Sequence, residues 1–438
     1  MKKQFIKKTC IIGLFQLVVI WSSHAQTWSA VGFGTNNNVL AIDTFSNDLY
    51  AGGVFDSAGR IPANNLASWN TLTWSVPGTG LNNDVNALVV YNGSLIAGGF
   101  FTNAGGNPAN AVAKWNGTSW SALGAGLNNR VLSLAVYNGN LYAGGEFDSA
   151  GGQPAKYIAQ WNGSNWVSVG SGVNNWVYAL TVFNGQLIAG GKFTTAGGIS
   201  CNYIAGWNGI KWDSLKGGMN NSVRTLTVYK TQLVAGGVFS LAGGISASNI
   251  ALWNGASWAA LGAGLDNDVL SLAAYNNTLF AGGAFLNAGG NPANRVAQWN
   301  GTNWSPLGNG ANFNVTALSG YKGSVYAGGA FDTAGGLVAK HIAKWSTPSA
   351  VNEVQDLNGT TLLYPDPNNG TFLLNVKNTL LPANFEIYNL LGEMIYTGRL
   401  SSSVSEIKLN NTVSHGIYLY RVLTQSGNLL GQGKFVIQ

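Results

Sequence analysis

Cysteine, histidine and charged side chains are scarce in this sequence, which has two Cys, three His and only 9% charged residues among its 438. Two cysteines cannot form the disulfide framework that stabilises small secreted domains. The three histidines His24, His341 and His415 are spread along the whole chain, so we expect no three-histidine metal site. A Gly-x-Ser-x-Gly nucleophile motif is also lacking. The composition therefore predicts no metal and no cofactor.

Positive charge is too dispersed to form a nucleic-acid-binding surface. The formal net charge is +6, but four of the 22 cationic side chains, Lys2, Lys3, Lys7 and Lys8, lie at the extreme N-terminus. Between residues 26 and 346, thirteen Lys and Arg accompany ten Asp and Glu, with no run of like charge. Because nucleic acid binding requires a clustered basic surface, we expect no nucleic acid partner.

Residues 1–25 have the pattern of a secretory signal peptide. The four lysines precede an apolar run from Ile11 to Ile20, and Ser23-His24-Ala25 gives the small-x-small pattern of a cleavage site. The run is too short for a transmembrane helix, which needs about 20 apolar residues. We therefore predict export, after which Cys201 is the only cysteine and packing alone stabilises the chain.

Glycine and aromatic residues are abundant, and they recur with a period of 46 residues. The triplet Ala-Gly-Gly begins at Ala51, Ala97, Ala143, Ala189, Ala235, Ala281 and Ala327. One tryptophan series keeps the same step at Trp69, Trp115, Trp161, Trp207, Trp253, Trp299 and Trp345. A second series comprises Trp28, Trp74, Trp120, Trp166, Trp212, Trp258 and Trp304. Seven copies of one unit therefore span residues 26–346.

Each repeat contains four short strand patterns, which is typical of one β-propeller blade. In the second repeat we place them at 85–91, 94–99, 111–115 and 119–123. Asn-Gly pairs such as Asn92-Gly93 join the first strand to the second and the third to the fourth, and they predict tight hairpins on one face. The longer connections share the other face. The strand around Trp28 completes the last blade, so the sequence predicts an all-β, seven-bladed propeller closed by its N-terminal strand.

The double glycine that ends the second strand, followed 16 residues later by a tryptophan, resembles the kelch-type and galactose-oxidase-type propeller repeat. The resemblance is architectural, because the Gly-His and Trp-Asp signatures of WD-repeat propellers are absent. We interpret the repeated tryptophans and glycine pairs as packing between blades, with the glycines allowing a neighbouring aromatic ring to approach the backbone. Galactose-oxidase chemistry is not expected, because His341 is the only histidine of the repeat region.

The tail differs in kind from the repeats. Residues 347–360 form a predicted linker, and residues 361–438 contain short alternating strands that are typical of a small β-sandwich. Four motifs occur there in order, and their characteristic residues are Tyr364, Pro365, Asp366, Pro367, Gly370, Gly392 and Gly416.

This tail closely resembles the C-terminal sorting domain of the type IX secretion system of Bacteroidetes, although that family usually has Asn where Asp366 stands. The resemblance implies that the secretion machinery is a partner and that the protein reaches the outer-membrane surface or the medium. Contact with a membrane is then expected only during export or by surface anchoring.

The repeats differ from one another at the position that precedes each innermost strand. That position holds Asn38, Asp84, Arg130, Trp176, Ser222, Asp268 and Asn314. Because these residues should surround the mouth of the central channel, we interpret them as a candidate ligand-binding ring. Trp176 and Arg130, on adjacent blades, would stack on and hydrogen-bond to a sugar. Solvated loop tips without a ligand are the alternative interpretation.

The leading functional hypothesis is a secreted or surface propeller that binds a glycan or a protein through its long-loop face. One alternative is a polysaccharide lyase or hydrolase using Asp84 or Asp268, although these two carboxylates should be too far apart for a glycosidase pair. A second alternative is a multivalent lectin with sites between blades. The sequences around Ser57, Ser149 and Thr333 also resemble bacterial O-glycosylation acceptors, although a local Asp-Ser turn explains them equally well.

Overall fold

The computed structural model describes residues 27–346, 361–364, 366, 368–376, 381–389, 393–409, 413–425 and 429–437. The predicted signal peptide and linker lie outside these ranges. The chain divides into two compact units, Ala25–Thr347 and Pro348–Gln438. Within the described ranges the regular structure is entirely β, and none of it is a helix long and apolar enough to cross a membrane.

The repeat region of the chain folds into seven four-stranded antiparallel sheets, and each sheet is one blade. The first strands are Val39–Phe45, Val85–Tyr91, Val131–Tyr137, Val177–Phe183, Val223–Tyr229, Val269–Tyr275 and Val315–Tyr321. The second strands are Asp48–Gly53, Ser94–Gly99, Asn140–Gly145, Gln186–Gly191, Gln232–Gly237, Thr278–Gly283 and Ser324–Gly329. The third strands are Leu66–Trp69, Val112–Trp115, Ile158–Trp161, Ile204–Trp207, Ile250–Trp253, Val296–Trp299 and Ile342–Ser346. The fourth strands of blades 1 to 6 are Trp74–Ser75, Trp120–Ala122, Trp166–Ser168, Trp212–Ser214, Trp258–Ala260 and Trp304–Pro306.

Blade 7 takes its fourth strand from the beginning of the repeat region. Thr27–Ala30 pairs antiparallel with Ile342–Ser346, and Trp28 lies opposite Trp345. The predicted closure of the ring by the N-terminal strand is therefore confirmed, as are the all-β class and the tight hairpins. In the hairpin of blade 2, Asn92 and Gly93 have φ angles of 46° and 68°. Positive φ angles at both central residues are typical of a two-residue type I′ turn.

A β-bulge interrupts every first strand, a feature that the sequence did not predict. In blade 1, Val39 pairs with Gly53 and Ala41 pairs with Gly52, so Leu40 has no partner in the second strand. The same register shift recurs in the other six blades. Because a bulged residue leaves the ladder and bends its strand, these seven positions point differently from their neighbours.

Each long connection between the second and third strands contains its own two-stranded hairpin, which the sequence also did not predict. These hairpins pair Ser57–Ala58 with Ile61–Pro62, Asn103–Ala104 with Asn107–Pro108, Ser149–Ala150 with Gln153–Pro154, Thr195–Ala196 with Ile199–Ser200, Leu241–Ala242 with Ile245–Ser246, Asn287–Ala288 with Asn291–Pro292, and Thr333–Ala334 with Leu337–Val338. A bridge such as Thr35↔Ala58 ties each hairpin to the loop that precedes the first strand of its blade. The long-loop face is thus hydrogen-bonded and ordered.

The core lies between blades, and its glycine pairs have a different role from the one expected. A Cβ on Gly98 would lie 2.6 Å from Cγ1 of Val131 in the next blade, and a Cβ on Gly99 would lie 1.9 Å from the carbonyl oxygen of Asp84. The double glycine therefore accommodates an aliphatic side chain and a backbone carbonyl, so the expectation of an aromatic ring there was wrong. The rings contact other glycines, such as Gly105 against Trp120.

The second tryptophan series forms a ring of hydrogen bonds from blade to blade. Each indole N–H donates to a carbonyl oxygen of the preceding blade over 2.7 to 3.2 Å, beginning with Trp74 to Val31 and closing with Trp28 to Leu307. Each indole also packs against the first-series tryptophan of its own blade, with ring centroids 5.2 to 5.5 Å apart. The indole N–H of each second-series tryptophan thus joins two blades, while the rest of its ring packs in the core.

The C-terminal unit is a small β-sandwich, as predicted. One sheet contains Thr361–Tyr364, Thr371–Val376 and Val404–Lys408, and the other contains Met394–Leu400, Ala383–Tyr388, Gly416–Thr424 and Leu429–Ile437. Alternate residues of both sheets are buried between them, including Phe372, Phe385 and Phe435. The C-terminal unit therefore has a hydrophobic core of its own.

We predict that Trp166→Phe lowers the free energy of unfolding by about 1 kcal/mol, because the change removes a buried hydrogen bond and leaves the carbonyl of Leu123 with the N–H of Gly126 as its donor. Guanidinium-induced unfolding of the purified protein measures this difference. Trp176→Phe is the matched control, since Trp176 is 36% exposed, and it should leave stability nearly unchanged. Equal stability of Trp166→Phe and the parent would show that the indole bond contributes nothing.

Candidate functional site

The seven bulged residues line one cavity in the central channel. They are Leu40, Asn86, Leu132, Tyr178, Arg224, Leu270 and Thr316, one from each blade. Trp176 and Glu146 complete the lining of this space, whose volume is about 400 Å³. Bulges commonly redirect a side chain toward a functional site, and here the same local defect aims seven side chains at a single volume.

The bulged position differs between repeats, whereas the position before it does not. The residue just before the bulge is valine in every blade, from Val39 to Val315, and it is fully buried. The bulge itself holds side chains as different as Leu40, Tyr178 and Arg224. Since both positions belong to the same strand, strand formation does not explain the difference. Packing fixes the valine, whereas the channel leaves its neighbour free to differ between blades.

The residues predicted to surround the mouth precede the bulges by two positions. The structure brings Arg130 and Asp84 together, with the guanidinium 3.2 Å from the carboxylate and 4.9 Å from the centroid of the Phe100 ring. Arg130 is thus paired with blade 2 rather than with Trp176. Asn38, Ser222, Asp268 and Asn314 occupy the equivalent positions on blades 1, 5, 6 and 7, and Ser222 is buried.

Trp176 belongs to an aromatic and cationic cluster on blades 4 and 5. Its ring contacts Tyr178 edge to face at a centroid distance of 6.3 Å, and Nζ of Lys192 lies 5.4 Å from it. The guanidinium of Arg224 lies 4.3 Å from the centre of the Tyr178 ring. Cation–π attraction therefore holds Lys192 and Arg224 over these two rings.

Two buried polar atoms of the cavity have no hydrogen-bond partner among the described residues. They are Oδ1 of Asn86, an acceptor, and Nε of Arg224, a donor. Buried polar groups without partners are costly, so both favour a polar group in the channel. The sequence analysis missed Asn86, Tyr178 and Arg224 because a regular strand would have turned them toward a neighbouring blade. The signal that could have found them was their variation next to an invariant valine.

Possible metal ligands and titratable side chains bear on the alternative of an enzyme. The described residues contain no group of three or more His, Cys, Asp or Glu able to hold a metal ion. Asp84 is engaged by Arg130, and burial lowers the pKa of His341. Burial raises the pKa of Asp43 to about 6. The hydrogen bond that its carboxylate accepts from the backbone N–H of Thr44 opposes this rise. Asp43 does not line the cavity, however.

Clefts between blades recur at equivalent positions of the ring. One cleft, of about 580 Å³, lies between blades 2 and 3 and is lined by Phe101 and Leu127. A second, of about 280 Å³, lies three blades further on and is lined by the equivalent Phe239 and Leu265. A third, of about 320 Å³ and lined by Arg60, lies between blades 7 and 1. The repeat therefore produces similar clefts on the long-loop face.

The predicted O-glycosylation acceptors lie in the small hairpins at these clefts. Ser57 and Ser149 each line a cleft, and Thr333 occupies the equivalent position in blade 7. The neighbouring Asp56 accepts a hydrogen bond from Asn36, whose own side-chain oxygen accepts from the backbone N–H of Ser57. This local pairing gives the Asp-Ser sequence a structural role, and its modification stays a prediction.

One residue of the predicted sorting motif, Asp366, bonds to the last strand of the C-terminal unit. The carboxylate of Asp366 accepts a hydrogen bond from the backbone N–H of Val436 over 2.8 Å. Tyr364 ends the first strand, Gly370 stands in a turn with φ of 89°, and Gly416 begins the longest hairpin. Pro365, Pro367 and Gly392 lie outside the described residues.

Two protein families match parts of the chain. The family described as "Secretion system C-terminal sorting domain" matches residues 362–438, and the family described as "Rax2 C-terminal beta propeller domain" matches residues 22–184. The protein is therefore a β-propeller protein that is exported. Its C-terminal unit is a sorting domain of the type IX secretion system, which directs it to the cell surface or the medium.

Similarities to individual proteins are more distant. No curated protein matches the chain. The solved structure of PorZ, "an essential bacterial surface component of the type-IX secretion system of human oral-microbiomic Porphyromonas gingivalis", is 12% identical, with a TM-score of 0.46, over 92% of this chain and 60% of that one. The chain thus spans 60% of the length of PorZ. The computationally designed Ika4 protein is 17% identical, with a TM-score of 0.24, over 35% of this chain and 84% of that one.

We predict that Asp43→Asn stabilises the protein at pH 7 by on the order of 2 kcal/mol. The pKa of Asp43 is about 6 in the folded chain, above the value near 3.9 of an unfolded chain. The parent therefore loses stability as the pH rises from about 4 to 6, because its buried carboxyl must ionise, whereas asparagine does not titrate. Urea unfolding between pH 4 and pH 8 measures this effect.

The parent and Asp43→Asn should have equal stability near pH 4. Asp213→Asn, which removes an exposed carboxylate, is the control and should give no comparable gain at pH 7. A constant difference between the parent and Asp43→Asn from pH 4 to pH 8 would contradict the assignment.

Proposed function

We propose that the exported propeller binds a glycan in the mouth of its central channel. The observation that carries the proposal is the convergence of seven bulged side chains, of five residue types, on one cavity, within strands whose remaining packing positions are repeated. Binding sites of this kind combine apolar and aromatic walls with a few polar groups that fix orientation. The cavity has this composition on blades 2 to 5.

The chemistry of the wall favours a sugar. Trp176 and Tyr178 offer aromatic surface to the apolar face of a pyranose ring. Oδ1 of Asn86 and Nε of Arg224 offer an acceptor and a donor that have no hydrogen-bond partner in the described part of the chain, which suits the hydroxyl groups of a saccharide. Arg130, held by Asp84 and Phe100, adds a fixed donor at the rim. A protein ligand that inserts a loop into the mouth is the competing occupant.

The equivalent clefts between blades favour a second candidate function, that of a multivalent lectin. The cleft lined by Phe101 and Leu127 has the same construction as the one lined by Phe239 and Leu265, so one ligand could bind at several places. Calorimetry distinguishes the two candidates by stoichiometry. Binding in the mouth gives one site per chain, whereas binding in the clefts gives several equivalent sites.

An enzyme acting on polysaccharides stays the third hypothesis. Its carboxylate candidates were Asp84 and Asp268, and the structure engages Asp84 in an ion pair with Arg130. This hypothesis requires that glycan products appear on incubation and that Asp84→Ala or Asp268→Ala abolishes them.

We predict that Tyr178→Leu and Arg224→Leu each weaken glycan binding at least tenfold. Leucine stands at this position in blades 1, 3 and 6, so both variants keep the bulge while removing the stacking or donor group. A glycan array of the exported protein identifies the ligand, and calorimetry measures the affinities. Lys230→Ala is the control, because it removes a cation from a short hairpin on the opposite face and should bind like the parent.

Three outcomes separate the alternatives. Unchanged affinity of both leucine variants for an identified glycan would place its site elsewhere and contradict the proposal. A protein recovered by pull-down that binds through the same residues, with no glycan bound, would assign the mouth to a protein ligand. Several equivalent sites in the titration would favour the multivalent lectin.

A further inference from the structure

Arg60 breaks the repeat at a position where the backbone favours glycine. The six equivalent residues are Gly106, Gly152, Gly198, Gly244, Gly290 and Gly336, with φ angles of 77° to 85°. Arg60 adopts the same left-handed conformation, with φ of 72°, which costs free energy for any residue that has a Cβ. Blade 1 therefore retains a strained arginine where every other blade is relaxed.

The side chain of Arg60 is held by a second departure from the repeat. Its guanidinium carbon lies 3.6 Å from the centroid of the Phe33 ring, and Phe33 is 59% exposed. The residues equivalent to Phe33 are all smaller, namely Thr79, Ala125, Ser171, Gly217, Ala263 and Asn309. At this position of the loop, an aromatic ring thus occurs only where an arginine is present to cover it.

Both residues line the cleft of about 320 Å³ between blades 7 and 1, together with Lys340 and Val338. We call this cleft the seam, because it lies where the N-terminal strand closes the ring. Neither Arg60 nor Lys340 makes an ion pair with a carboxylate in the part of the chain that the structure describes. Two unpaired cations therefore share a cleft with an aromatic ring and with Val338, which is 69% exposed.

We propose that the seam is a second binding site, separate from the channel mouth, and that it takes an oxyanion-bearing sugar unit of an acidic polysaccharide. Stacking on Phe33 fixes the plane of the Arg60 guanidinium and leaves its N–H edge free for bidentate contact with a carboxylate or sulfate. Lys340 adds a second charge, and Val338 offers apolar contact to a sugar ring. Strained backbone conformations cluster at binding sites, and here the strain coincides with two cations and an exposed aromatic ring.

The shape of the seam and the route of the protein favour a polysaccharide over an anionic lipid surface or an acidic peptide. The cations lie in a cleft, which receives a single unit of a chain more readily than it receives a flat bilayer. Export to the cell surface or the medium also places the seam where extracellular polysaccharides occur. Because these residues do not line the channel cavity, the proposal stands whether or not the mouth binds a glycan.

The sharpest test of the proposed site replaces Arg60 by the glycine that the other six blades have at this position. Arg60→Gly should raise the melting temperature by about 2 °C, since it relieves the strained φ angle, and should weaken binding of polygalacturonate or heparin at least tenfold. Loss of binding in a more stable variant cannot result from unfolding. The measurement is calorimetry on the full exported chain with these two polysaccharides, with neutral dextran and with phosphatidylglycerol vesicles.

Further variants complete the design. Phe33→Ala and Lys340→Asn restore residues found at equivalent positions of other blades, and each should weaken binding of the acidic polysaccharides. Lys156→Asn makes the same change as Lys340→Asn at the equivalent position of blade 3, and it should leave binding intact. Tyr178→Leu should also leave binding at the seam intact, which separates this site from the mouth.

Binding of polygalacturonate identifies a carboxylate as the preferred group, and binding of heparin alone identifies a sulfate. The proposal is overturned if the parent binds neither polymer, if it binds only the vesicles, or if dextran binds equally well. It is also overturned if Arg60→Gly binds like the parent, or if Lys156→Asn loses as much affinity as Lys340→Asn.

Discussion

The hydrogen bond from each second-series indole to the carbonyl of the preceding blade is the interaction on which the propeller depends. A single four-stranded blade cannot bury both of its faces, so each blade is stable only against its neighbours. The indole bond fixes the distance between blades, and its ring is closed by Trp28, which the N-terminal strand contributes. Tyrosines add ties near the opposite face, such as Tyr321 to the carbonyl of Asn47 over 2.7 Å.

This packing decides which residues are free to carry function. The glycine pairs, valines and tryptophans are required for packing between blades. A larger side chain at Gly98, for example, would collide with Val131. The bulged residue of each first strand escapes these constraints by leaving the ladder. The seven bulged side chains point into one channel. A scaffold of nearly identical units therefore produces an asymmetric site. The seam is a second departure from the repeat, in which Phe33 and Arg60 replace smaller residues in two surface loops.

Most of the architecture could be predicted, because a fixed period in the sequence translates directly into a fixed number of blades. The 46-residue step and the isolated Trp28 were sufficient for seven blades and for the closing strand. The bulge could not be predicted, since it depends on how Leu40 fits between two paired neighbours rather than on its residue type. The predicted role of the glycine pairs was wrong for a similar reason. The residue that packs against Gly98 is Val131 of the next blade, and the sequence of the strand does not show this contact. Arg60 was visible as a departure from the repeat, but its strain is a property of the backbone.

The central claim is that the ring is closed and held by the indole bonds, with Trp28 equivalent to its six counterparts. Hydrogen exchange of the indole N–H groups, measured by NMR on protein labelled with ¹⁵N-tryptophan, tests this claim most directly. The account predicts that Trp28 exchanges as slowly as Trp74 and Trp166, through the same cooperative unfolding. Exchange of Trp28 well ahead of the other members of its series would contradict it, because the N-terminal strand would then open on its own.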